Sequence, residues 1–117
     1  MAGVFGLTVP VPPPGFGHAY YKYYAILEPE RLRPGWDLFR VVEAINAEGI
    51  PCQASNISEI YCEKAFVDHG LAPVRPLPVA QRLAATGIIF MVHPTLTEPD
   101  IRDTADAILK VMRAAAA

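Results

Sequence analysis

The clearest pattern in the chain lies between Gly87 and Met112, where apolar positions change from a continuous run to a recurrence every third or fourth residue. Ile88 to His93 is apolar but for its last residue, rich in β-branched and aromatic types, and bounded by Gly87 and Pro94. It is too short for a buried helix and predicts a strand with both faces covered. A turn then leads into a helix. Thr97 stands at its N-cap, with Asp100 three residues on as a shorter form of the capping-box Glu. Pro99 falls in the first turn, where its missing N–H costs no helical bond. Ile101, Ala105, Ile108 and Met112 follow at helical spacing with Leu109 beside them, while Arg102, Asp103, Asp106, Lys110 and Arg113 face away.

The rest of the chain is less sharply patterned. Residues 1–17 hold Pro10, Pro12, Pro13 and Pro14, then Gly15 and Gly17, and read as an extended, polyproline-like lead-in or inter-domain linker. His18 to Leu27 alternates, with four tyrosines between Tyr20 and Tyr24. That predicts a long strand, both faces at least half covered, ended by Pro29. After the Arg33-Pro34-Gly35 turn, Leu38, Val41, Val42 and Ile45 share one helical face, and Gly49 sits where a left-handed C′ residue would stop the helix. Ile50 to Ala54 reads as a short strand, and Ser55-Asn56-Ile57-Ser58 as a polar elbow. Glu59 to Phe66 reads as a short helix with Ser58 as its cap. Prolines 73, 76 and 78 keep the next stretch irregular before a second short helix, Val79 to Ala85. Strands separated by amphipathic helices predict an α/β domain over residues 18–114. It is expected as an α+β two-layer sandwich, a small three-stranded sheet with helices packed mainly on one face.

Composition changes this picture in one respect. The 117 residues suffice for one domain that buries about two thirds of the surface its unfolded chain exposes. Apolar types make up 52% and charged types only 19%, with a mean hydropathy of +0.24. So oily a small domain is expected to cover some of its surface with a partner. No apolar run approaches the roughly 20 residues that span a bilayer, so membrane insertion is not expected and the chain reads as soluble and cytoplasmic. With a net charge of −2 and scattered Lys and Arg, there is no electrostatic footprint for nucleic acid. Cys52 and Cys62 read as reduced and partly buried, and no Cys/His grouping has metal-ligand spacing.

Few residues then remain for chemistry. His93, before Pro94, Thr95 and Thr97, has the titration range of a general base but equally the position to hydrogen-bond the turn into the last helix. A cysteine nucleophile would need a histidine beside it, which the spacing does not supply. The tyrosine strand could stack a ring, although aromatics at strand spacing more often serve a core or an interface. The elbow differs: Ser55, Asn56, Ser58 and Glu59 gather polar groups between a strand and a helix, where a rigid scaffold presents side chains to a ligand. Helix capping would use the same residues. No Gly-rich phosphate loop is present.

Several segments in register resemble one known domain. They are His18-Ala19-Tyr20-Tyr21-Lys22-Tyr23-Tyr24, Ala44-Ile45-Asn46-Ala47-Glu48-Gly49-Ile50-Pro51-Cys52, Glu59-Ile60-Tyr61, Leu77-Pro78-Val79-Ala80 and Met91-Val92-His93-Pro94-Thr95-Leu96-Thr97-Glu98. Over His18 to Met112 they resemble the C-terminal small domain of the DegT/DnrJ/StrS sugar aminotransferases, of fold-type I. The resemblance implies a parent enzyme that uses pyridoxal phosphate to move an amino group onto a keto sugar, a nucleotide sugar or a cyclitol. It also implies a large cofactor-binding domain in the same chain, a homodimer, and a substrate-binding loop corresponding to Ser55, Asn56, Ser58 and Glu59. Many members carry a His-Tyr pair in that loop, where this sequence has Ser55 and Asn56. Lys22, Lys64 and Lys110 do not match the family's Schiff-base lysine, so no catalytic or cofactor-binding residue is expected in this fragment, and it is expected to be inactive alone. The rival expectation is a free-standing small α/β ligand-binding or regulatory module.

Overall fold

The computed structural model describes residues 4–55 and 59–117. Its sheet is built around β4 (Gly87–Met91), the continuous apolar run at the end of the chain. On one side β4 pairs antiparallel with β2 (Lys22–Leu27), placing Tyr23 opposite Phe90 and Ala25 opposite Ile88. On the other side β3 (Cys52–Ala54) is also antiparallel, with Cys52 opposite Phe90 and Ala54 opposite Ile88. A strand paired on both sides has no backbone group left for water, and Ile88, Ile89 and Phe90 are all buried, as the unbroken apolar run implied.

The sheet has four strands rather than three. β1 (Leu7–Thr8) pairs with Leu27 and Ile26 at the outer edge of β2, giving the order β1-β2-β4-β3. Val4 and Leu7 enter the core, and the carbonyl of Gly6 accepts from the N–H of Glu28 at 2.9 Å. A two-residue strand shows no periodicity, and the prolines that follow it dominate the pattern. β2 is in turn shorter than the alternation from His18 suggested. Tyr20 adopts a left-handed φ of +48° and its N–H donates to Nδ1 of His18, which breaks the strand before Lys22. Tyr21 is consequently 87% exposed and Tyr24 about half exposed, so the expected coverage of both faces fails there.

Ala25, Leu27, Ile88 and Phe90 face two helices, α1 (Leu38–Ala47) and α4 (Glu98–Ala115). Val41 and Ile45 of α1 and Ile108, Val111 and Met112 of α4 fill this layer. The first helix is bounded as its sequence indicated. Asp37 caps it by accepting the N–H of Arg40 at 2.8 Å. At its end Gly49 takes φ +85° while the N–H groups of Gly49 and Ile50 return to the carbonyls of Asn46 and Ile45. Asn46 then joins the helix to β3, its amide donating to the Cys52 carbonyl at 2.9 Å and its Oδ1 accepting the Cys52 N–H.

The connection after β3 departs from a single helix over Glu59 to Phe66. It forms a 3₁₀ turn, Ile60–Cys62, and a short α2 (Lys64–Val67), because Glu63 between them is extended. The cap expected at Ser58 lies outside the described residues. α3 (Pro78–Thr86) matches the second short helix and sits at the opposite sheet face, its Leu83 sharing a cavity with Tyr24 and Ile26. Among the described residues no helix is long and apolar enough to cross a membrane.

At the start of α4 the Thr97 side chain accepts the Asp100 N–H while the Asp100 carboxylate accepts the Thr97 N–H at 2.7 Å. The hydroxyl and N–H of Thr97 hold the Asp100 carboxyl below its ordinary value. Thr97→Ala is expected to lower stability by about 1 kcal/mol in denaturant titration. The sign of the Asp100 effect follows from its lowered value. Its contribution is fully present above the ordinary carboxylate range and is lost as pH falls through the depressed native value. The stability gap between the native chain and Asp100→Asn should therefore narrow in acid; a gap that widens below about pH 4 would contradict this assignment.

Candidate functional site

The structure describes two of the four expected residues of the elbow after β3, Ser55 and Glu59. Ser55 continues the β3–β4 ladder by one step, its N–H donating to the carbonyl of Gly87 at 2.7 Å. It is buried against the start of β4 and lines a cavity of about 240 Å³ with Tyr24, Ile26, Leu83 and Gly87. A Cβ added at Gly87 would stand 2.7 Å from Cβ of Ser55 and 2.8 Å from the carbonyl oxygen of Leu83. Glycine is needed there for close approach rather than for an unusual φ, since Gly87 is extended. Asn56 and Ser58 lie outside the described residues.

Glu59 is half-buried, and its Oε1 accepts the hydroxyl of Tyr61 at 2.7 Å. The same Tyr61 oxygen accepts the N–H of Leu77, the N-cap residue of α3, at 3.0 Å. Partial desolvation and the Glu59 carboxylate, to which it donates, hold the Tyr61 phenol above its ordinary value. Sequence reasoning marked Glu59 but missed Tyr61, Leu77 and the packing role of Gly87. The tripeptide Glu59-Ile60-Tyr61 was visible, but its hydrogen bond to a residue sixteen positions later was not.

The other candidates resolve into structural roles. Nδ1 of His93 meets the Thr95 hydroxyl at 2.7 Å and accepts the Thr95 N–H at 3.3 Å, so the ring fastens the turn ahead of α4. His18 accepts from Tyr20 and packs its ring 4.3 Å from the Tyr20 ring. Cys52 is half-buried beside Asn46 and the Val42 carbonyl, and burial pushes its thiol up to about 11. The reactive form of a cysteine is the thiolate, which this setting disfavours. Cys62, expected to be partly buried, is exposed on its 3₁₀ turn.

A pyridoxal phosphate site needs a sequestered lysine beside a phosphate cradle. The lysines here do not fit. Lys64 is largely exposed in an ion pair with Asp68, Lys110 pairs with Glu48 at 2.7 Å, and Lys22 lies near the exposed Tyr21 ring. Among the described residues no group of three or more His, Cys, Asp or Glu could hold a metal ion. The oily composition instead shows at the surface. Tyr23, Phe90, Met91, Leu96 and Ile101 line a groove of about 350 Å³ where the start of α4 leaves the sheet end. Met91 and Ile101 are more than half exposed, so the apolar stripe of α4 is covered by the domain only in its second half.

No family model matches the sequence, and no curated protein is similar enough to count as a relative. Solved structures are similar. The aminotransferase from Psychrobacter cryohalolentis is 44% identical over 84% of this chain and 25% of its own, with a TM-score of 0.76. DesV of S. venezuelae, solved with a ketimine intermediate, shares the fold at 19% identity, over 95% of this chain and 28% of its own, with a TM-score of 0.74. A DegT DnrJ EryC1 StrS aminotransferase from Brucella abortus is 25% identical over 93% of this chain and 26% of its own, with a TM-score of 0.66. The chain thus spans about a quarter of the length of the structures it matches.

Gly87→Ala should cost about 1–3 kcal/mol, because Ser55 or the end of α3 must shift to admit the methyl group; an unchanged melting curve would show that the approach is looser than described. Thiol labelling at pH 8 should modify Cys62 fast and Cys52 only slowly. With the native Cys52 value raised, the unfolded chain loses this proton first, so Cys52 makes stability decline as pH rises from about 9 to about 11.

Proposed function

We propose, on the premise that this chain is a domain of the DegT/DnrJ/EryC1/StrS type of aminotransferase, that it is the C-terminal small domain of a pyridoxal-phosphate enzyme. That enzyme would aminate a keto sugar, a nucleotide sugar or a cyclitol. The observation that carries this reading is the match of 84% of the chain, at 44% identity, to one quarter of a solved aminotransferase. The partner of the oily surface is then the large domain of the same polypeptide, which supplies the cofactor, and the parent acts as a homodimer.

Pyridoxal phosphate supplies an electron sink when bound. The residues of this chain do not form its site, and no bond-making step falls to them. Their part is to position substrate and to exclude water, which converts a diffusional encounter into an oriented one. The elbow Ser55, Asn56, Ser58 and Glu59 is the edge that reaches the substrate. Ser55 anchors it on β4, and Glu59 offers a carboxylate to sugar hydroxyl or amino groups.

Two measurements test the reading. Pyridoxal phosphate added to the purified chain should give no stable aldimine absorption near neutral pH, and the chain alone should transaminate no keto sugar. The native reading frame should continue upstream into a domain with a lysine-containing cofactor site; a frame that opens at Met1 would remove the catalyst and leave the ligand-binding module.

A further inference from the structure

Asn46 stands one residue from the end of α1, where asparagine is a poor helix former because its side chain competes for backbone hydrogen bonds. Here that competition has a fixed target. Nδ2 donates to the carbonyl of Val42 at 2.8 Å and to that of Cys52 at 2.9 Å, and Oδ1 accepts the Cys52 N–H at 3.3 Å. One side-chain amide thus meets both backbone groups of Cys52, donor to acceptor and acceptor to donor, as a residue of an adjoining strand would. The bond to Val42, one turn back, uses the second hydrogen of the amide and anchors it to its own helix.

Cys52 begins an edge strand. β3 stands last in the order β1-β2-β4-β3, and among the described residues no strand lies beyond it. Backbone groups alternate in direction along an antiparallel strand. Ser55 gives its N–H to Gly87, so the N–H and carbonyl of Gln53 also turn to β4, while those of Cys52 and Ala54 turn outward. An outward row of this kind is a template for another chain. Centred on Gln53, it is also complementary to itself: a two-fold axis would set Cys52 opposite Ala54 and Gln53 opposite Gln53, with no charge at the seam.

We propose that Asn46 closes the outer edge of β3, and that without it a second copy of this chain adds there, antiparallel and edge to edge. The occupant is a second copy because the row presents to its own image the donors and acceptors that the image offers back.

Amide exchange on the natural chain gives the first test. The Cys52 N–H, held by Asn46, should exchange at least about tenfold more slowly than a free amide; an unprotected Cys52 N–H would overturn the closure. The second test is sedimentation equilibrium. Asn46→Ala, shown by circular dichroism to be folded, should self-associate about tenfold more tightly than the natural chain. Adding Gln53→Lys, at an exposed position, sets two ammonium groups face to face across the seam and should return association to the natural value. Association that does not tighten in Asn46→Ala would overturn the proposal. Tightening that survives Gln53→Lys would overturn it equally, since contacts through the apolar groove beside Met91 and Ile101 would behave in that way. Should Asn46→Ala not fold, Asn46→Leu keeps the bulk, removes both bonds to Cys52 and must give the same pair of results.

Discussion

The structure depends on one strand being paired along both edges and covered on both faces. β4 holds Ile88 and Phe90 against the α1–α4 layer and keeps Ile89 out of water on the other side. Fully burying a side chain of this size contributes about 1.5–3 kcal/mol, and three in succession make β4 the part of the sheet least free to shift. A slip of one residue would exchange Ile88 and Phe90 with Ile89 and Gly87, and leave glycine where the helices need bulk. Everything else is placed by its register to this strand. β3 is only three residues long, yet it is held in step because Ala54 meets Ile88 and Ser55 meets Gly87.

That constraint reaches the elbow directly. Gly87 begins β4, ends α3 and touches Ser55, so strand, helix and Ser55 meet at one residue that must lack a side chain. Glu59 is held by the Tyr61 hydroxyl, which also accepts the N–H of Leu77.

The apolar groove beside Met91 and Ile101 has a different physical origin. The amphipathic stripe of α4 runs the length of the helix, but its residues are buried only in the second half, from Ala107 onward. The first half carries the same pattern over the open groove lined by Tyr23, Phe90 and Met91. An apolar face left open in this way is one of the places where the oily composition reaches the surface.

Much of this was legible along the chain because it depends on neighbours in sequence. The Thr97–Asp100 cap, the Gly49 stop, the helical face of Leu38, Val41 and Ile45 and the doubly covered strand at Ile88 are local or periodic signals, and each stands close to where its residues indicated. The family resemblance was legible for a related reason, since ordered segments survive in register. What only the tertiary structure decided involves residues far apart, or residues too few to show a period. The two-residue β1 exists because Leu7 and Thr8 fall beside Leu27 and Ile26. Tyr20 breaks an alternation that sequence alone would continue. Tyr61 accepts an N–H from sixteen residues away. Periodicity reports which face a residue turns to the core, whereas the partner it meets there depends on how the whole chain closes.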